Sequence, residues 1–431
     1  MKFYLISLGC AKNLVDSEKL TGYLLNAGYV ITDDIDKASL VIINTCGFIK
    51  DAKKESIDTI LTILREKPVN TKTVVYGCLV QRYQKDLEKL IPEVDLFLPL
   101  LPYKELAEKI IQKFPPYKWG KTEIPKKILF TPPSYTYIKI SDGCNNFCSY
   151  CTIPLIRGRL KSLPVEDIVI QIRKAIAGGF YEINLIAQDI TAYGTDLYGK
   201  PSLEFLLKRI LSIKKDFWLR LLYLYPSRIS EELINIMHSD SRIVKYIDIP
   251  IQHVNNRILR LMRRHYTKEI LLEKISLFKE KIPSLAIRTT FIAGFPSESG
   301  KELNELQKFI EHIQFDHLGV FEYSPEEDTP AFSLKPRLPF NIKRKRKKLL
   351  MEAQKKVVRI KNRSLVGKTF SCLIEQPADR DGSVWIGRIY SQAPEVDGVV
   401  YVTGYNENMG KIIDVRIKNF KDYDLAGECV R

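Results

Sequence analysis

Ser141-Asp142-Gly143-Cys144-Asn145-Asn146-Phe147-Cys148-Ser149-Tyr150-Cys151 is the stretch that decides the fold of this chain. Three of its eight cysteines fall here, spaced C-x3-C-x2-C. The stretch follows a run over 135–140 in which β-branched and aromatic residues dominate, so it reads as a tight loop leaving a strand. Such a loop can turn three thiols toward one point. Three thiolates are one too few for a closed tetrahedral zinc site. They suit a cubane iron–sulfur cluster with one iron open to a further ligand. On spacing alone, a zinc site completed from elsewhere and a set of three structural cysteines remain as alternatives.

With Tyr150 before the last cysteine, the loop resembles the cluster loop of the radical S-adenosylmethionine enzymes, whose pattern is C-x3-C-x-aromatic-C. The resemblance implies a [4Fe-4S] cluster on Cys144, Cys148 and Cys151. Its open iron would be chelated by the amino and carboxylate groups of S-adenosylmethionine. Reductive cleavage of that sulfonium gives a 5′-deoxyadenosyl radical.

The totals bound the rest. At 431 residues the chain has room for two to four domains. A hydrophobic content of 45% and a charged content of 27% are those of a folded soluble protein. The net charge of +16 points to an anionic or nucleic-acid-associated partner, or simply to solubility. Eight cysteines at these spacings do not read as a secreted disulfide framework. No apolar run approaches the roughly 20 residues of a membrane span, and 3–8 is too short for a signal-peptide core. The expected location is the cytoplasm.

Residues 1–120 carry a βα series, which implies an open parallel sheet. Strands are expected over 3–7, 40–43, 73–76 and 96–98. Helices are expected over 16–26, capped by Asp16 or Ser17, and over 50–66, 81–90 and 103–114. Cys10 follows the first strand, Cys46 the second and Cys78 the third. Loops at the carboxyl ends of parallel strands converge on one edge, where ligands bind. Three cysteines distant in sequence should therefore meet, each beside a Gly or Thr that lets backbone come close. They read as the ligands of a second cluster, again with an open site. Three unrelated buried thiols are the alternative.

Ser7-Leu8-Gly9-Cys10-Ala11-Lys12-Asn13-Leu14-Val15-Asp16-Ser17-Glu18, Asn44-Thr45-Cys46 and Gly77-Cys78 resemble the amino-terminal domain of the methylthiotransferases. That family carries two four-iron clusters and appends a methylthio group to an unactivated carbon. Some members act on an adenosine in transfer RNA. One branch acts on an aspartate in the twelfth protein of the small ribosomal subunit. The form G-C-x-K-N-L-V-D-S-E found here resembles the ribosomal-protein branch; the transfer-RNA branch more often has Met-Asn after the cysteine.

After a Pro-rich, basic connection from Pro115-Pro116 to Pro132-Pro133, residues 128–340 alternate six strands with five helices. Strands are expected near 135–140, 182–186, 218–224, 246–249, 286–292 and 318–322. The intervening helices are expected near 165–177, 203–213, 231–237, 270–281 and 301–313. Six units are short of a complete eight-fold barrel and fit an open (β/α)6 barrel, the fold the resemblance implies. Its lateral mouth would admit a macromolecule. Polar strand ends mark candidate contacts: Gln188 and Asp189, Arg220 and Tyr223, 248–253, and 292–298. The last resembles the family's glycine motif, where Gly294 would let adenine approach. It departs from the commoner form at Thr290 and Ser297, while the 248–253 form again resembles the ribosomal-protein branch. The resemblance makes Tyr150, Gln188 and Gly294 the cofactor contacts. Singly, such polar residues also serve as caps or satisfied core groups. Arg157, in a stretch that matches the family, would hold a carboxylate or a phosphate, or lie on the surface.

Residues 341–363 form a basic helical connection, with eleven basic residues from Lys343 to Arg363 against Glu352 alone. It reads as a solvated helix packed on the barrel or as a face for ribosomal RNA. Residues 364–431 show short β-rich runs over 369–374, 384–388, 398–402 and 411–417. They predict a small antiparallel β-barrel that resembles the TRAM, OB-like domain ending the methylthiotransferases. It holds eight basic and ten acidic residues. Such a balance is poor for clamping phosphate and better for a basic protein. The 393–398 stretch also resembles the ribosomal-protein branch. Cys372 and Cys429 read as ordinary buried thiols.

The expected function is methylthiolation of the β-carbon of an aspartate in the small-subunit ribosomal protein, using two [4Fe-4S] clusters and S-adenosylmethionine. The second cluster, on Cys10, Cys46 and Cys78, would carry the sulfur to be methylated. The partners are that basic ribosomal protein, free or within the ribosomal subunit beside RNA, and an electron donor. The chain is expected to be a monomer with no membrane partner. Methylthiolation of transfer RNA is the alternative; a non-enzymatic zinc-containing RNA-binding protein is the third reading.

Overall fold

The computed structural model describes residues 1–116 and 130–430. Most of the Pro-rich connection therefore lies outside the described residues. The strand Leu40–Thr45 is buried at every position, as an apolar run covered on both faces must be. It is the centre of a five-stranded parallel sheet. The order is Val30–Ile31, Lys2–Ser7, Leu40–Thr45, Lys72–Gly77, Leu96–Leu98. Separate apolar clusters cover its two faces, one around Phe3, Leu24 and Ile110, the other around Ile43, Ile60 and Leu87.

Two helices begin earlier than their sequence signals. The first spans Ala11–Asn26, with Cys10 itself as the N-cap. Asp16 and Ser17 are buried inside it and cap nothing. Their polarity serves tertiary partners described below, which overrides the local capping preference. Likewise the third helix, Cys78–Leu90, starts on the cysteine. Cys10 and Cys78 thus both sit at helix amino ends, where the backbone dipole favours a thiolate.

The central sheet has six parallel strands in chain order: Tyr135–Lys139, Glu182–Ile186, Trp218–Leu221, Ile243–Gln252, Ala286–Ala293 and His317–Glu322. The first and last are its edges, so the sheet stays open. The five expected helices lie between the strands, with further short turns, and pack a single large core of Ile, Leu, Val and Phe.

The helix Phe340–Leu365 leads to a closed barrel of five strands. It is not wholly antiparallel: Val400–Thr403 pairs in parallel with Asp424–Cys429. That last strand, Asp-Leu-Ala-Gly-Glu-Cys, has no β-branched residue and gave no strand signal.

Residues 390–397 close the amino-terminal ends of the central strands. Glu182 accepts from Arg220 Nε at 2.6 Å and from Arg388 Nη2 at 2.6 Å. Arg220 in turn donates to the Tyr390 carbonyl at 2.7 Å. Tyr135 donates to Glu395 at 3.0 Å and Tyr246 to Asp397 at 2.6 Å. Ala393 is fully buried in an apolar cluster with Tyr135, Tyr137 and Tyr246. Burial opposes the charge on Glu182, but the two guanidiniums outweigh it and hold its carboxyl below the usual range. Removing one partner of such a group strands the other in low dielectric. Arg388→Met should therefore destabilise the protein by about 3–5 kcal/mol, read as a lower melting temperature and faster proteolysis of the terminal barrel.

Candidate functional site

The Cys144–Cys151 loop is pinned by backbone bonds to three separate segments. Cys144 N donates to the Gly158 carbonyl at 3.2 Å, and Ser149 N to that of Met262 at 2.9 Å. Ala331 N donates to the Ser149 carbonyl at 2.7 Å. Asn146 N approaches Cys144 Sγ at 3.5 Å. Arg264, buried, donates through Nη1 to Cys148 Sγ at 3.7 Å and through Nη2 to the Pro250 carbonyl at 2.7 Å. Its guanidinium lies over the Tyr225 ring, 4.3 Å from the centroid. Burial pushes the Cys144 thiol up to about 11 and the Cys151 thiol well up.

Cys10, Cys46 and Cys78 are brought together by two close backbone approaches. A Cβ on Gly9 would lie 2.7 Å from Cys46 Cβ and 3.0 Å from its Sγ. One on Gly47 would lie 2.8 Å from Leu79 Cα and 2.9 Å from the Cys78 carbonyl oxygen. Only glycine lets the first loop rest on the second and the second on the third. Asn13 stitches two of them, donating Nδ2 to the Leu8 carbonyl at 2.9 Å and the Thr45 carbonyl at 3.2 Å. Burial, with charge on Cys10 adding to it, pushes Cys46 up to about 11 and, against the pull of Arg157, Cys78 up to about 12. Cys10 stands at the exposed edge.

The two trios lie on facing loops. Thr152, next after Cys151, donates to the carbonyl of Phe48, two residues after Cys46, at 3.3 Å. Arg82 and Lys53 converge on buried Glu326 Oε2 at 2.9 and 2.8 Å. Between the modules Lys139 donates to Asp16 at 2.5 Å and Asp142 at 2.7 Å. Arg157 is a buried bridge, bonded to Asp142 at 2.9 Å and Asp16 at 2.9 Å. Burial works against charge on Asp142, yet Lys139 and Arg157 keep its carboxyl well below the usual range. A cleft of about 540 Å³ borders this group, lined by Asp16, Tyr103, Lys139, Asp142 and Arg157.

The remaining sequence candidates divide. Gln188 donates to Asp142 at 3.2 Å and leaves its Oε1 buried without a partner. Tyr150 packs with Ile258, Met262, Ile292 and Phe295, and burial raises its phenol. Gly294 has φ +76°, but a Cβ there would lie 2.3 Å from Lys343 Cγ. On the side where a Cβ would project, the Gly294 backbone is met by a lysine of the Phe340–Leu365 helix. Asp189 holds Arg228 at 2.6 Å and Asn146 at 2.8 Å. Arg220 belongs to the joint with the terminal barrel. His253 is fully buried, its Nδ1 accepting from the amides of Val254 and Asn255. Burial lowers it to about 3, so it is neutral. Sequence reasoning missed Arg264, Asn13, Asp142 and Lys139 as neighbours of the trios. Arg264 sits among other basic residues with no motif of its own. Lys139 looks like any outward position on a strand.

Among the described residues no three His, Cys, Asp or Glu side chains converge on a single metal ion. A cluster asks instead for one thiolate per iron, so its ligands stand further apart. Two all-thiol trios, each with a buried arginine donating to sulfur, fit that group. The orphaned oxygen of Gln188 fits a polar ligand bound beside the first trio.

Residues 138–310 match the radical SAM superfamily, 2–99 an uncharacterized protein family, UPF0004, and 366–430 the TRAM domain. Fold and site define a radical S-adenosylmethionine enzyme of three modules. A ribosomal protein uS12 methylthiotransferase RimO from Syntrophotalea carbinolica is 42% identical, covering 100% of this chain and 97% of its own. Those of Thermodesulfovibrio yellowstonii and Aquifex aeolicus are each 44% identical over 99% of the chain, covering 99% and 97% of their own lengths. Among solved structures, the radical methyltransferase TsrM from Kitasatospora setae aligns with a TM-score of 0.57 at 15% identity. That alignment covers 77% of this chain and 74% of that one. The chain belongs to the RimO family of ribosomal protein uS12 methylthiotransferases. It is a sulfur-group transferase that uses S-adenosylmethionine and [4Fe-4S] clusters. Fully loaded protein should bind about eight irons per chain, and the triple variant C10A/C46A/C78A about four, by iron analysis; an undiminished count in the variant would remove the second site.

Proposed function

We propose that the chain methylthiolates the β-carbon of an aspartate in ribosomal protein uS12. In this reading Cys144, Cys148 and Cys151 hold one cluster and Cys10, Cys46 and Cys78 the other. The observation that carries it is the placing of two thiol trios on facing loops, tied through Thr152 and Phe48. Loaded, the site supplies a carbon-centred radical on one side and the sulfur to be transferred on the other. The protein's own groups hold the two sides at a fixed separation. Arg264 and Arg157 donate to one ligand sulfur in each trio. Tyr150 and Gln188 line the side of the radical trio. The apolar wall around Tyr137, Ile186 and Leu222 keeps water from it.

Preference for a protein over transfer RNA rests on the names of the relatives and on the motifs around Cys10 and Asp248. The charge of the terminal barrel adds less than its composition promised. Glu375 and Asp397 face inward, bonded to Arg388 and Tyr246, and Glu395, though exposed, is tied to Tyr135. Asp422 and Glu428 pair with Lys355 and Lys418. The outer face is accordingly not strongly acidic, and the module's TRAM type leaves nearby ribosomal RNA as a partner. An external one-electron donor and a monomeric state belong to the same reading. Among the described residues no helix is long and apolar enough to cross a membrane.

The test is anaerobic reconstitution with iron and sulfide, then mass spectrometry of uS12, small subunits and transfer RNA. A methylthio mass on a uS12 aspartate is expected; the same mass on transfer RNA alone would transfer the assignment. Cys148→Ala should abolish cleavage of S-adenosylmethionine. Cys46→Ala should still permit cleavage while yielding no methylthiolated product.

A further inference from the structure

We propose that Arg157 is a positioning residue for the second cluster: a cation that the radical module extends to the Cys78 ligand of the other. This rests on the reading that Cys10, Cys46 and Cys78 hold that cluster. Arg157 ends the short helix Ile153–Arg157 that follows the radical loop, and its side chain is 4% exposed. Its two terminal nitrogens face opposite modules. Nη1 donates to Asp142 Oδ1 at 3.2 Å and Oδ2 at 2.9 Å. Nη2 donates to Asn13 Oδ1 at 2.7 Å and Asp16 Oδ2 at 2.9 Å, and reaches Cys78 Sγ at 3.6 Å. Asn13 is the residue that stitches the Cys10 and Cys46 loops, so one guanidinium touches all three ligand segments directly or through one neighbour.

Asp16 and Asp142 are already met by Lys139 as well as by Arg157. Two cations and two carboxylates leave this group near balance before any thiolate forms. What the guanidinium brings to sulfur is therefore a directed N–H at 3.6 Å rather than spare charge, in surroundings where little water competes for it. A donor on a ligand sulfur stabilises the more negative, reduced cluster and raises its potential. Lysine could not replace it, because the planar fork alone reaches Asp142 and Cys78 together. Arg264 makes the matching contact to Cys148 from within its own module. Arg157 differs in crossing between modules, so it also sets how the second trio faces the first.

The experiment uses the full chain carrying C144A/C148A/C151A, reconstituted so that only the second cluster can form. Redox titration followed by electron paramagnetic resonance compares Arg157, R157Q and R157K. With about four irons retained, R157Q should show a more negative midpoint and altered g values, and R157K a smaller shift in the same direction. Unchanged midpoint and spectrum at full iron in R157Q would overturn the inference alone. Should R157Q fail to hold iron, R157K decides, and a wild-type midpoint there overturns it. Absence of iron in the parent background would instead bring down the second-cluster reading, and the inference with it.

Discussion

Asp16, Lys139, Asp142 and Arg157 share one buried set of ion pairs, and the relation between the two cysteine trios depends on it. Asp16 comes from the first helix; the other three come from the strand, hairpin and helix around the radical loop. Burying Asp16, Lys139 and Arg157, with Asp142 one-third exposed at the rim, is costly, and their mutual attraction at 2.5–2.9 Å offsets that cost only while all four are present. Such a group stabilises little compared with an apolar contact of the same size. What it supplies is orientation: the charges are satisfied in one relative placement of the modules. Apolar contacts alone, such as Val15 against the barrel wall, would tolerate sliding.

The cysteine spacing and the alternation of strands with helices carried most of the architecture in plain sight. Helices such as Lys50–Glu66 and Val165–Ala177 were legible to the residue because their apolar periodicity is strong. The early start of the Ala11–Asn26 helix was not, since Lys12 and Asp16 are polar for partners in another module and Asn13 for carbonyls of the neighbouring loops. The same holds for Arg157, whose sequence surroundings say nothing of burial. Gly294 shows what a sequence leaves unsaid about a close approach. A glycine at a strand end announces a close approach, but only the fold reveals that the approaching group is Lys343.

The terminal barrel illustrates how composition misleads when charges are counted without regard to where they point. Its acidic excess is real, yet the carboxylates nearest the 393–398 motif are consumed in closing the central sheet. The motif is thus a floor for the barrel, with Ala393 wholly enclosed. Its residue choices follow from fit to Tyr135 and Tyr246.

Lys343 sits at the beginning of a 26-residue helix, a rod about 39 Å long at 1.5 Å per residue. One end is strapped to the 294–298 turn, where Lys343 donates to the Tyr323 carbonyl at 2.8 Å and Arg346 bonds Glu298. The other end is fastened to the terminal barrel through Lys355 and Asn362, both held by Asp422. That barrel is gripped a second time beneath the central strands. A body anchored at two distant places cannot swing like a tethered lid. The terminal module is thus a stationary buttress beneath the central strands, closing that pole of the sheet.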